Sequence, residues 1–189
     1  MAKKEKLWAK IGLLIFLGLI ILGFTIPGFI NTIDTNTQKA VEPRLCQTDS
    51  ECYLTCNDKP LPTLCTKNLC AQNSCSEPTY YSLKDTPITF SLTIELNNKK
   101  IDLTNQSKSE NFFVKYNINQ IQLFSSGLNL NQVLEKFNAQ LNNQCLSINN
   151  INYCSNSKEK LIILANGNET YAGGSFVPLE GDKIKIVYS

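Results

Sequence analysis

The chain has 189 residues, a formal net charge of +2 and no histidine. The missing histidine excludes imidazole acid–base chemistry and His-bearing zinc sites, and the small charge excess, carried by lysines near the N-terminus, gives no reason to expect a nucleic-acid partner. Eight cysteines make the redox compartment the first question, and the N-terminus answers it.

Residues 11–30 read IGLLIFLGLIILGFTIPGFI and contain no charge. As a helix this run would reach roughly 30 Å, about the thickness of a bilayer's hydrocarbon core. Lys3, Lys4, Lys6 and Lys10 precede it, against Glu5 alone, whereas Asp34, Lys39, Glu42 and Arg44 after it roughly cancel. The positive flank stays cytoplasmic, so the expectation is a cytoplasmic tail over 1–10, a single transmembrane helix over 11–30, and everything beyond it outside the cell membrane. The apolar run is too long for the core of a signal peptide, and no A-x-A-like site follows it. No processing site of a pilin-like subunit precedes it. Membrane lipid is therefore the first expected partner.

Residues 31–45 lack apolar periodicity and read as a linker. Over 46–75 stand Cys46, Cys52, Cys56, Cys65, Cys70 and Cys75, spaced C-x5-C-x3-C-x8-C-x4-C-x4-C, with Asp49, Asn57, Asp58, Pro60, Pro62 and Asn73 between them. So short a segment, rich in turn formers, cannot bury enough surface to fold unaided. Outside the membrane three disulfides would hold it, in a connectivity that spacing does not decide. No C-x2-C pair occurs, which argues against a metal cluster. The stretch LCQTDSECYLTC resembles the short Cys-rich knots of many secreted proteins. The expected role is a structural staple, with a recognition knob as the alternative. Residues 76–87 read as a second linker.

From 88 the pattern changes. Ile88, Phe90, Leu92, Ile94 and Leu96 alternate with Thr89, Ser91, Thr93 and Glu95, which predicts a strand with one buried face. Asn97-Asn98 predicts a tight turn, and Ile101 and Leu103 a returning strand. Phe112, Val114, Tyr116 and Ile118 alternate again, and a further strand is expected through Ile121 and Leu123. After Gly127 the period becomes helical: Leu130, Val133, Leu134, Phe137 and Leu141 form one stripe, with Asn129 and Gln132 at capping-box positions. This predicts a helix over 130–142 that covers the sheet. In CLSINNINYC, a turn at Asn149-Asn150 sets Cys145 opposite Cys154 as a non-hydrogen-bonded pair, at a separation that suits a disulfide. A reactive dithiol is disfavoured because no histidine or helix N-terminus stands by to lower a thiol pKa. Leu161–Ala165 reads as a central strand ending at the Asn166-Gly167 turn. Residues 168–181 read as loop, with a short strand over 175–177, and residues 183–188 close the chain as a strand.

One helix on one face of a mixed sheet is an α+β arrangement. Leu130 to Phe137, then Leu161 to Gly167, then VPLEGDKIKIVY resemble the β-grasp (ubiquitin-like) fold, and more narrowly the domains related to the C-terminal domain of transcobalamin. A similar Gly-Asp-x-Ile-x-Ile-x-Tyr tail, with a Cys pair before it, occurs in uncharacterised membrane-anchored proteins of archaea and bacteria. The resemblance covers 88–189 and implies a β-grasp-like extracytoplasmic domain. The chain departs from that second group in lacking its early histidines, so no metal role carries over. It also lacks the C-terminal Gly-Gly of sulfur carriers, since Gly173-Gly174 is internal.

No nucleophile–base pair or phosphate loop stands out. Asp102, Glu110, Glu159, Glu180 and Asp182 are scattered over expected turns. The expectation is therefore a non-catalytic binding or interaction module without a cofactor, whose partner is another envelope protein or a small ligand. The alternative is a structural or accessory subunit of a cell-envelope assembly, such as a pilus, surface layer or membrane-enzyme complex. The loop 166–176 and an open sheet edge are the expected binding surfaces. Asn105 and Asn168 begin N-glycosylation sequons.

Overall fold

The computed structural model describes residues 13–17, 20, 42–104, 109–117 and 120–189. The expected cytoplasmic tail, most of the expected membrane span, most of the first linker and the Asn105 sequon lie outside the described residues. Residues 13–17 and 20 are helical with exposed side chains. Among the described residues, no helix is long and apolar enough to cross a membrane. Residues 42–189 form one compact unit, mostly sheet with short helices, and are described by themselves.

Four short strands make two hairpins in the Cys-rich segment. Strand β1 (Tyr53–Cys56) pairs with β2 (Lys59–Pro62), and β3 (Cys65–Thr66) with β4 (Leu69–Cys70). Their turns, Asn57-Asp58 and Lys67-Asn68, hold both residues at positive φ, the geometry of a type I′ hairpin. Three disulfides join first to fourth, second to fifth and third to sixth: Cys46–Cys65, Cys52–Cys70 and Cys56–Cys75.

The main sheet begins with β5 (Ile88–Leu96). Phe90, Leu92, Ile94 and Leu96 are buried, while Thr89, Ser91, Thr93 and Glu95 are half-buried on the other face. Asn97 and Asn98, at φ 51 and 63, turn the chain into β6 (Lys99–Ile101). Next come β7 (Val114–Asn117) and β8 (Gln120–Leu123), and β8 pairs with the first half of β5.

The helix Leu130–Glu135 starts at the capping box read from sequence. The Asn129 side chain accepts from the Gln132 N–H at 2.9 Å, and the Gln132 side chain accepts from the Asn129 N–H at 2.9 Å. It ends sooner than the stripe predicted. Asn138 takes φ 54, a left-handed residue that stops the helix. Leu141 lies instead in a strand, β9 (Ala139–Leu141), which pairs with β10 (Cys145–Ile148), itself paired with β11 (Ile151–Cys154). Both sequence periods are real here; the backbone change at Asn138 separates them.

Strand β12 (Leu161–Ala165) pairs with the two-residue β13 (Asn168–Glu169) on one side and with β14 (Lys183–Tyr188) on the other. It is one strand in from the edge, and β5 and β14 hold the centre. A 3-10 turn, Gly173–Ser175, replaces the strand expected over 175–177. Strand β14 runs parallel to β5, with Ile184, Ile186 and Tyr188 level with Leu92, Ile94 and Leu96. The sheet order is β13-β12-β14-β5-β8-β7, with β6 on the second half of β5.

Leu130, Val133, Leu134 and Phe137 join these apolar rows in one core, and Leu64 of the Cys-rich segment belongs to the same cluster. That segment is fixed to the sheet domain by an ion pair. Asp49 is fully buried, and its Oδ1 lies 2.6 Å from Lys136 Nζ, while Lys136 also donates to the Cys65 carbonyl. Asp49 accepts three backbone N–H bonds as well, from Cys65, Phe112 and Phe113. A buried carboxylate survives only when its oxygens are so occupied. Lys136 is in place because it follows the last turn of the helix.

Candidate functional site

All eight cysteines are paired, and there is no free thiol. The sulfurs of Cys46, Cys52 and Cys65 lie within 4.8 Å of one another, yet each is spent in a disulfide, so the cluster is two bridges packed together. Cys145 faces Cys154 across β10 and β11 and is bonded to it, with Cα atoms 4.0 Å apart.

The acidic residues singled out above serve turns. Asp102 accepts from Thr104 N and Oγ1, and these bonds hold its pKa below the usual carboxylate value. Glu180 accepts from the Thr89 hydroxyl at 2.6 Å and the Thr89 N–H at 2.7 Å, which lower its pKa in the same way. Asp182 accepts from Asn166 Nδ2 and from the Leu179 N–H, while Asn166 Oδ1 accepts from the Lys183 N–H. The Asn-Gly and Gly-Asp elements thus meet as a clamp between β12 and β14. Glu159 accepts from the Tyr188 hydroxyl at 2.8 Å, and this carboxylate pushes the phenol pKa up. The Glu110 carbonyl accepts from the Ser50 N–H.

The loop 166–176 is anchored over part of its length. A Cβ on Gly174 would stand 2.3 Å from the Leu141 carbonyl oxygen, so only glycine allows this approach to β9. The Phe176 carbonyl accepts from the Leu130 N–H at the start of the helix. Tyr171 is exposed at the loop's tip, and Asn168 is exposed on β13.

A concave surface lies elsewhere. A cleft of about 470 Å³ opens where the Cys-rich segment meets the end of the helix and the face of β9–β11. Register builds one wall: Gln140, Ser147 and Asn152 are level across β9, β10 and β11, on the face opposite buried Leu146 and Ile148. Ser147 donates to Asn152 within this row. Asn138 stands beside the wall in its left-handed conformation. The Lys67-Asn68 turn and Gln47 form the opposite side, and Asn111 also lines the cleft.

The charges of the cleft are largely engaged. Lys136 is tied to Asp49. Glu135 accepts from Thr66 Oγ1 and the Lys67 N–H with one oxygen and from Asn131 with the other. What remains is a set of neutral carboxamides together with the exposed ammonium of Lys67. Asn111 is the exceptional member: it is 3% exposed, and its Oδ1 is buried without a hydrogen-bond partner. A buried acceptor left unmade costs about 1–3 kcal/mol, so few persist in a folded protein without a role.

Sequence reading did not find this cleft. Alternation in Ala139-Gln140-Leu141 and in Leu146-Ser147-Ile148 marks which side chains leave the core, but only the register between strands sets the polar ones in a row. No protein-family model, curated protein or solved structure matches the chain, so what the cleft holds is argued from its own chemistry.

Proposed function

We propose that the chain is a single-pass, membrane-anchored, extracytoplasmic binding module of β-grasp type without catalytic activity, and that the amide-lined cleft is its binding surface. The observation that carries this reading is the amide-rich cleft itself, in which Lys136 and Glu135 are already engaged and the exposed Lys67 is left for a partner. Such a surface offers hydrogen bonds but no group poised to attack or to move a proton. The outward placement rests on the uncharged run over 11–30 with its lysine-rich flank, and on eight cysteines that all pair, as an oxidising compartment favours. The β-grasp reading rests on the hairpin β5–β6, the parallel pairing of β14 with β5, and the one helix packed between these strands in sequence.

The test is twofold. Membrane-impermeant labelling of Lys59 and Lys99 on intact cells reports topology, and labelling only after lysis overturns the outward placement. Gentle extraction and capture through the N-terminal tail, with Gln140→Ala as the comparison, reports binding. A ligand or partner retained by the wild type and lost from the variant is expected; equal retention by both removes the cleft from the proposal. Membership of an envelope assembly is the second reading, favoured by exposed Tyr171, Val177 and Leu179 in one segment. Extraction as a large complex that Leu179→Ser dissolves supports it, and a monomer throughout rejects it.

A further inference from the structure

We infer that Asn168 is N-glycosylated on the outer face of the membrane, and that its glycan covers the open edge of the main sheet at β13. The inference rests on the outward placement proposed above and goes beyond it to a covalent modification and what that modification does.

Asn168-Glu169-Thr170 supplies the acceptor asparagine, a middle residue other than proline, and the hydroxyl two residues on. The fold presents this tripeptide at the surface. The Asn166-Gly167 turn leads directly into β13, the outermost strand, and Asn168 and Glu169 are both exposed. Elsewhere the fold uses its carboxamides. Asn129 caps the helix, Asn131 accepts from the Leu141 N–H, Asn156 accepts from the N–H groups of Lys158 and Glu159, and Asn166 belongs to the clamp on β14. Among the described residues, nothing bonds to the Asn168 carboxamide. Its Nδ2 can therefore carry a sugar without breaking a native contact. The donor is an oligosaccharide carried on a lipid phosphate. Nδ2 forms a bond to the anomeric carbon, the bond from that carbon to the phosphate oxygen breaks, the lipid phosphate leaves with the electron pair, and one amide proton is released. Nothing is oxidised or reduced.

Register shows what the glycan stands beside. Among the described residues β13 pairs with β12 alone. Ala165 and Asn168 flank a two-residue turn as a hydrogen-bonded pair, and the Thr170 N–H donates to the Ile163 carbonyl at 2.8 Å. Glu169 lies between these two bonded positions, so its N–H and carbonyl point away from β12. An edge of this kind invites the addition of another strand. A bulky, solubilising glycan on the preceding residue blocks that addition. It removes this edge from the expected binding surfaces and leaves the cleft.

The experiment uses the full chain extracted from its own cells and digested with trypsin. Cleavage after Lys160 and Lys183 isolates residues 161–183, which contain Asn168 and Thr170 but not the Asn105 sequon. The wild-type peptide should be heavier than its sequence by whole sugar residues, and fragmentation should place that mass on Asn168. Asn168→Gln and Thr170→Ala should each abolish the added mass, and Thr170→Ser should keep it. If Thr170→Ala fails to fold, Asn168→Gln still decides, because it changes an exposed side chain without a hydrogen bond. An unmodified wild-type peptide overturns the inference, as does added mass that survives Asn168→Gln or Thr170→Ala. Sedimentation in detergent tests the covering of the edge. Asn168→Gln should show a larger self-associated fraction than the wild type, and equal fractions overturn that part. The labelling of Lys59 and Lys99 on intact cells separates this failure from that of the outward placement. An unmodified peptide with labelling on intact cells removes the glycan alone, and an unmodified peptide with labelling only after lysis removes both.

Discussion

The two halves of residues 42–189 solve the same problem with different physics. The sheet domain alternates apolar and polar residues, and buries Phe90, Leu92, Ile94, Ile184 and Ile186 beneath the helix. The Cys-rich segment contributes Leu64 to that core and otherwise buries mostly its own bridges, Cys46, Cys52, Cys65 and Cys70. One half is held by the hydrophobic effect, which unfolds cooperatively; the other is held by covalent closure, which acts mainly on the unfolded chain. Where the two meet, the apolar contact of Leu64 is joined by a third device. The junction is a buried ion pair with three backbone donors, a contact that is directional rather than general. It fixes one orientation of the segment on the domain, and with it the two sides of the cleft.

The largest break is expected at that junction. Asp49→Ala leaves Lys136 buried beside an empty space and strands the N–H groups of Cys65, Phe112 and Phe113. Removing one partner of a buried pair costs about 3–5 kcal/mol. Lys136→Met should cost less, because Asp49 keeps its three N–H donors and the methionine stem fills the space of the lysine stem. Denaturant unfolding of both variants checks this. Equal losses would mean that the ion pair, and not the backbone bonds, holds the segment.

Next in size is the covalent device itself. Replacing Cys52 and Cys70 together by alanine opens a loop of sequence separation 18. The chain-entropy relation puts the loss at about 3 kcal/mol. It should fall on the Cys-rich segment first, with amide exchange accelerated over β1–β4 while β5 and β14 stay protected. Replacing Cys145 and Cys154 opens a shorter loop of separation 9, in a hairpin that β9 also supports, and should cost less. If breaking Cys52–Cys70 deprotects the whole sheet equally, the two halves are one cooperative unit and the contrast between them fails.

Legibility followed the same division. In the sheet domain local signals agree with one another, so β5 was readable residue by residue, as were the Asn97-Asn98 and Asn149-Asn150 turns and the Asn129–Gln132 capping box. Asparagine tolerates positive φ, and the structure uses it so in the pairs Asn97-Asn98 and Asn149-Asn150 and again at Asn166-Gly167. What failed was where one period hands over to another. Phe137 and Leu141 fit a single helical stripe, and nothing within the stripe says that Asn138 will turn left-handed. The contact of Asp49 with Lys136 spans 87 residues and joins two charged side chains that single-sequence rules place at the surface. The same blindness hid the cleft. Each carboxamide reads alone as a turn or surface residue, and only the register of β9 on β10 and the docking of the Lys67-Asn68 turn make them neighbours.

The smallest effect tests a contact inside the sheet domain and, by contrast, needs no buried charge. Glu180 reaches from the turn before β14 to the first residues of β5, where Thr89 donates from both hydroxyl and backbone N–H. These bonds favour the ionised carboxylate, so its pKa lies below the ordinary glutamate value. A depressed folded-state pKa gives stability that is present above the unfolded value and is lost as pH falls through the folded one. The loss therefore belongs in the acid range below the ordinary carboxylate pKa, and none should appear near neutrality from this group. The Thr89 amide resonance, followed by NMR as pH is lowered, should titrate with a midpoint below that of a free glutamate. Thr89→Val removes the hydroxyl but keeps the backbone donor and a β-branched side chain suited to the strand. The midpoint should then rise part of the way toward the ordinary value. No change would mean that the backbone N–H alone sets the shift, and a midpoint already at the ordinary value in the wild type would mean that the turn before β14 is not tied to β5 through this carboxylate.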